Sequence, residues 1–346
     1  MSSLFASFSQ LSVTPNDATA RQNVLNQAQT LAQNFQTTAA GLESQGTDLD
    51  AQTNTTIASI NQLAGEVASI NGDNRVDPSG NVNAGVDAQL NSTLEQLSQL
   101  VNFTALQQSD GTVSVYIGGQ TPLVVGSQTY AISGDFSTPQ TAVDSSTGAD
   151  ITSQLTGGQL GASLNDKNNL LPSYIQGLNT LAQSVADQVN TGLDNGIDEN
   201  GAAPASDLFT YNASVGAAAT MGVNPLTPDQ IAAALPGAPG GNGNALALAA
   251  LANGANLNNE TFAQFYGNLG EQVGNDLSTA TNNQTTQQAL LNQVQTLRQQ
   301  TSGVSLDEEA ANLIAFQRAY QADAKMVTVL DSLTDTLMNI LPDTAT

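Results

Sequence analysis

The chain has 346 residues, and its 30 acidic against 6 basic side chains give a net charge of −24. A surface so poor in cations has no basic patch with which to neutralise phosphates, which excludes nucleic acid and anionic lipid as partners. Cysteine and histidine are both absent, so thiolate and imidazole metal ligands and every Ser-His or Cys-His nucleophile pair are excluded too; an enzyme here would work with carboxylates, Lys167, Lys325, tyrosine or serine.

The opening MSSLFASFSQ has neither a basic n-region nor a long apolar run, so no signal peptide is visible there. Nowhere does an apolar run reach the ~18 residues of a membrane span. The first long helix is predicted from Thr14 to Ile70, with Thr14 as N-cap, Pro15 at the first helical position and Asp17 in the first turn. Two seven-residue ladders run side by side along it. One is Ala28, Phe35, Leu42, Leu49, Thr56, Leu63 and Ile70; the other is Leu25, Ala32, Ala39, Gly46, Thr53, Ile60 and Val67. Together they make a coiled-coil-like stripe, weakest from Gly46 to Thr56, where a break or kink is expected.

Asn71 to Gly85 is a polar loop whose Asp73, Asp77 and Asn81 lack both the spacing and the closing Glu of a calcium loop, so it is read as solvated. A shorter helix follows from Asp87 to Leu100, with Leu90, Leu94 and Leu97 on one face. The period then falls to two: Val113, Val115 and Ile117 alternate, Gly118-Gly119 turns, and Leu123, Val124, Val125 and Tyr130 follow, which predicts a hairpin. Helix returns from Leu170 to Leu193. Asp194 to Gly201 is a second acidic loop, but Gly196 removes the first ligand a calcium loop needs. In the Ala/Gly/Pro-rich stretch up to Gly254, Thr227–Leu235 reads as a short capped helix and Ala245–Leu251 as another. A long helix spans Thr261 to Arg298, with an almost wholly polar middle from Ser278 to Gln288.

Ser302-Gly303 breaks the chain before the last helix, Ser305 to Leu341. Ser305 and Glu308 form a capping box, and Asp307, Glu308 and Glu309 load the positive end of the helix dipole. Its apolar face is the candidate interaction surface: Leu306, Leu313, Phe316, Tyr320, Val327, Leu330, Leu337 and Leu341. With 4% aromatics, no Trp and 40% apolar residues, the core is Leu, Val, Ile and Ala. The fold class expected is mainly α with a small β insert (α+β), an elongated bundle of long coiled-coil-like helices.

SGVSLDEEAANLIAFQRAYQADAKMVTVLDSLTDTLMNIL resembles the C-terminal signature of the flagellar axial proteins, and of the hook-associated protein 1 family in particular. PNDATARQNVLNQAQTLAQNF, LSQLVNFTALQQSDGTVSVYIGGQ and GGQLGASLNDKNNLLPSYIQGLNTLAQSVADQVN are similar to that family's rod-domain helix, β hairpin and following helix. Nearly the whole chain is covered, in family order. The resemblance implies a structural, non-enzymatic subunit without cofactor or metal, which forms a ring joining hook to filament. It implies as partners copies of the chain, the hook protein, the next hook-associated protein and an export chaperone at the C-terminal region. It also implies extracellular placement in the flagellum after type III export, without a cleaved signal peptide. The division expected is long rod-domain helices at 1–103, a small β-rich insert at 104–165, rod-domain helices with an Ala/Gly/Pro-rich connection at 166–300, and a C-terminal axial helix at 301–346. Two departures stand out. The family's N-terminal helical stretch, ending in an Asn-Thr-Pro-Gly-Tyr-like motif, has no counterpart here, which leads us to expect a shortened version whose last helix lacks its usual partner. The β-rich part is also short. The alternatives are another axial protein, of hook-protein or hook-associated protein 3 type, and more remotely a cell-wall hydrolase using carboxylates such as Glu66, Asp87 or Glu95.

Overall fold

In a computed structural model of the chain, the described residues are 1–74, 84–137 and 139–302. They fall in two compact units, divided between Val273 and Gly274.

The first unit is built on one long helix. Helix α2 (Ala18–Asn74) runs without interruption, and all seven members of the Leu25–Val67 ladder are buried. The expected break at Gly46–Thr56 is absent. The weak part of the stripe is held by polar partners instead: the Lys167 ammonium donates to the Gly46 carbonyl at 2.8 Å and lies 2.8 Å from Asp50 Oδ1.

The start of α2 departs from expectation. A separate helix α1 (Ser2–Val13) precedes it, and Leu4, Phe5, Phe8 and Leu11 of α1 are all buried. Their spacing, i, i+4, i+7, was a readable helical signal. Thr14 to Asp17 is therefore a turn between helices, and Asp17 rather than Thr14 caps α2 through the Thr19 amide at 2.8 Å.

After α2 comes α3 (Ala84–Leu100), then a four-stranded antiparallel sheet in the order β1 (Phe103–Gln107), β2 (Val113–Ile117), β3 (Thr121–Val125), β4 (Gln128–Thr129). A second hairpin pairs β5 (Ile132–Asp135) with β6 (Thr141–Asp144). The alternating Val113, Val115 and Ile117 are buried as their period requires. Helix α4 (Gly158–Asn165), a π-helical turn (Asp166–Leu170) and α5 (Leu171–Asp194) then follow without a gap. The helix expected from Leu170 thus has a preceding segment. Pro172 explains the junction: it cannot donate to the carbonyl four residues back, and the Leu171 amide instead reaches Asp166 O, five residues back.

Beyond α5, short elements fill one end of the unit: β7 (Phe209–Thr210) pairs with β8 (Gly222–Val223), with α6 (Ala217–Thr220) between them. The helix expected at Thr227–Leu235 is only a 3-10 turn at Pro228–Gln230, closed by a Thr227–Gln230 capping box. Ile231 to Ala234 are buried and extended past it because their carbonyls are taken elsewhere. Arg21 takes that of Ile231, the Asn244 side chain that of Ala232, and the Asn244 and Ala245 amides that of Ala233. Helix α7 (Gly243–Ala250) matches its expected position.

Two separate apolar cores result. One joins α1, the first half of α2, α5 and the segments from Leu208 to Phe262. The other joins the second half of α2, α3, the sheets and α4. Four asparagines clip helices to extended backbone, each bonding both the N–H and the C=O of one residue. They are Asn61 on Ile132, Asn71 on Val113, Asn190 on Phe209 and Asn168 on Gln140. Asn61 and Asn190 stand in for a missing ladder partner along two-stranded sheets, Asn71 does so at the start of β2, and Asn168 holds the backbone just before β6.

The second acidic loop folds around an internal cation. The Arg21 side chain is 2% exposed, with Nη1 2.6 Å from Ile231 O and Nε 2.8 Å from Pro15 O. Burial pushes its pKa down from the ordinary value, while Glu199, Asp198 and Asp229 pull it up. The Asp198 carboxylate caps its own loop through the Asn200 and Ala202 amides. Gly196 is required there by close packing, since a Cβ at this position would collide with the Asn244 side chain.

Of the first acidic loop, residues 75–83, including Asp77 and Asn81, lie outside the described residues.

Candidate functional site

The helix that leads toward the C-terminal region is α8 (Phe262–Ser302). Its start is set by a Thr-x-x-Gln box: the Gln264 amide donates to Thr261 Oγ1 at 3.1 Å, and the Thr261 amide to Gln264 Oε1 at 2.9 Å. Asn258 and Asn259, both at positive φ, turn the chain into it. Phe262 is buried and stacks on Phe5 of α1, with ring centroids 5.8 Å apart and planes 2° from parallel. One face continues with Phe265 and Leu269 on the first core, Leu269 lying over Gly177 of α5, where a Cβ would stand 2.9 Å from its methyl. Tyr266 and Val273, each one turn beyond Phe262 and Leu269 along the same face, are nevertheless exposed.

Within the second unit the described residues, Gly274–Ser302, are helical throughout. Their large apolar side chains Leu277, Leu290 and Val294 are more than half exposed, among Asn, Gln and Thr. The polar middle expected here is a solvated helix surface whose threonines bond back to the preceding turn, as Thr281 does to Leu277 O and Thr285 to Thr281 O. Among the described residues this stretch buries little apolar surface, so its own packing contributes little to its stability.

The face named from the sequence, Leu306, Leu313, Phe316, Tyr320, Val327, Leu330, Leu337 and Leu341, lies outside the described residues, as does Lys325.

The carboxylates named for hydrolysis are not gathered into a site. Glu66 accepts from Gln62 one turn away on α2, and Asp87 and Glu95 lie two turns apart on α3. Among the described residues no group of three or more acidic side chains is placed to hold a metal ion, and no helix is long and apolar enough to cross a membrane. Lys167, named as a possible catalytic amine, is committed to Asp50 and the Gly46 carbonyl. Arg21, which sequence reasoning passed over, is the most deeply buried charged side chain among the described residues. Nothing in ARQN distinguishes it from a solvated helix arginine, because beside Pro15 O its partners are the carbonyls of Pro228, Asp229 and Ile231, more than 200 residues away.

Comparison with known proteins places this geometry. The family model described as the flagellar hook-associated protein FlgK helical domain matches residues 1–209. A second, the C-terminal region of the flagellar basal body rod FlgEFG proteins, matches residues 298–340. Flagellar hook-associated protein 1 of Bacillus subtilis is 27% identical over 383 aligned residues, covering 98% of this chain and 75% of its own length. The Salmonella typhimurium protein of the same name is 40% identical over 82 residues, 24% of this chain and 15% of its own. The solved flagellar hook junction protein FlgK of Burkholderia pseudomallei superposes with a TM-score of 0.56 at 27% identity, over 61% of this chain and 40% of that one.

Proposed function

From the premise that this chain belongs to the flagellar hook-associated protein 1 family, we propose that it assembles through the apolar face of its C-terminal segment. As a member of that family it is a structural protein of the bacterial flagellum, acting in the extracellular part at the junction of hook and filament. The hook-protein and hook-associated protein 3 alternatives give way to this assignment, since the helical-domain match covers residues 1–209.

One observation carries the mechanism. The rod-protein model matches residues 298–340, the stretch in which Leu306, Leu313, Phe316, Tyr320, Val327, Leu330 and Leu337 recur at helical spacing, with Leu341 just beyond. Such a stripe contributes binding energy only when a partner covers it. We assign as partners further copies of the chain in a ring, the hook protein and the next hook-associated protein, with a chaperone shielding the stripe before type III export. The work is mechanical joining; it needs no catalytic step, cofactor or metal.

The test is a double substitution, Leu313→Asp with Phe316→Asp, expressed in cells of the source organism that lack the native copy. Two buried carboxylates in a helix seam oppose association. The variant should be exported, keep the thermal transition of the parent, and be missing from sheared flagella. Its recovery at parental levels in hook–filament junctions would rule out this face.

A further inference from the structure

We infer that the layer between the two apolar cores is a hinge, latched by Lys167 on Asp50. The cores share no buried side chain. Two helical spans cross between them, α2 and the continuous run from α4 through the π turn to α5. At the crossing the apolar stripe gives out, and Gly46, Asp50 and Thr53 of α2 lie between Ala39 of one core and Ile57 of the other. Lys167 and Asn168 stand at the corresponding level of the second span. Each lobe is held by its own apolar packing, whereas the layer between them has one buried apolar side chain, Leu171 against Gly46, and is otherwise held by polar contacts, which open at lower cost.

The layer has the parts of a hinge. The π turn sits in the second span at this level, forced by Pro172, so that span already carries a weakened hydrogen-bond ladder there. Lys167 ties the two spans together through the Asp50 carboxylate and the Gly46 carbonyl, both at 2.8 Å. The two side chains are 18% and 33% accessible, but the Asp50 oxygen facing Lys167 is itself shielded, so water replaces the pair as the layer opens. Asn168 of the π turn clips the backbone of Gln140, which ties the β5–β6 hairpin to the same point. Two polar side chains, Gln140 and Thr53, are fully buried, yet the Gln140 amide and the Thr53 hydroxyl find no hydrogen-bond partner among the described residues. Burying such groups unpaired is unfavourable. Opening the layer relieves that cost by admitting water, which offsets the loss of the latch and leaves two arrangements close in free energy.

The inference concerns the isolated chain and does not depend on the flagellar reading. The chain has no cysteine, so spin labels can be placed at Ser109→Cys, exposed in the β1–β2 turn, and Ser206→Cys, exposed in the loop before β7. Pulsed electron-spin distance measurements on this double variant should show a major distance and a minor second one. Adding Lys167→Met should raise the minor population by roughly five-fold, the scale that a partly exposed ion pair controls. Raising NaCl to about 1 M should shift the unlatched fraction in the same direction, because salt screens the pair. Asp50→Asn serves if Lys167→Met does not fold, and the salt series needs neither. A single distance, unchanged by salt and by either substitution in folded protein, would overturn the hinge; so would a fall in melting temperature with no change in distances, since the pair would then be purely structural.

Discussion

At the scale of residues, asparagine has two roles here that composition cannot separate. Asn and Gln side chains on α8 are solvated, but Asn61, Asn71, Asn168 and Asn190 each bond the N–H and C=O of one residue, as a neighbouring backbone would. Asn71 is fully buried and bonds the N–H and C=O of Val113 and the carbonyl of Gly126. Asn71→Ala leaves these groups unpaired and should cost about 2–3 kcal/mol, read from urea unfolding. Asp144 is a second case. The Ser146 hydroxyl and amide hold its carboxyl below the ordinary value of 3.8. A depressed folded pKa contributes stability that is fully present above the ordinary value and is lost as pH falls through the folded one. Ser146→Ala should therefore reduce stability at pH 7 and flatten its decline below pH ~4, as followed by thermal melts across pH.

Among the elements, α2 was the most readable and the Gly-Gly entry to α4 the least. Both ladders of α2 follow a period that burial then enforces. The GGQLG stretch shows no period, yet Gly158 has φ +72, and a Cβ there would stand 2.5 Å from the Val101 amide nitrogen. Gly158→Ala combines backbone strain with a clash against backbone and should cost about 3 kcal/mol or more. The expected outcome is a lower denaturation midpoint, with the transition slope unchanged. The Thr227–Leu235 segment shows the limit from the other side: its cap and its alanines favour helix, but the Arg21 guanidinium and Asn244 claim the carbonyls a helix would use.

For the whole molecule, among the described residues the buried members of both apolar cores end at Phe262, with Phe265 and Leu269 packed against the first. The folded state of the first unit should therefore not require the C-terminal region. A chain ending at Ser302 should retain the thermal transition of the full chain to within about 3 °C, roughly the shift that a loss of 1 kcal/mol causes in a domain of this size. A loss of cooperative unfolding in the shortened chain would mean that the assembly face also serves as core. On the proposed assembly mechanism the labour is divided: one part folds by itself, and another carries an apolar stripe for neighbours.

Read alone, the sequence determined the elements governed by local period: the α2 stripe, the Val113–Ile117 strand, α7 and α8. It also determined the family, because the C-terminal signature is contiguous. Only the tertiary structure decided where the chain keeps its buried polar groups. Arg21 depends on carbonyls at Pro15 and Ile231, Lys167 on Asp50, and each clipping asparagine on a strand between 19 and 71 residues away. The physical reason is that a polar side chain has the same local preferences whether water or a distant carbonyl satisfies it. Hydrophobic period is written along one element, whereas the pairing of a buried charge is settled only when separate elements meet.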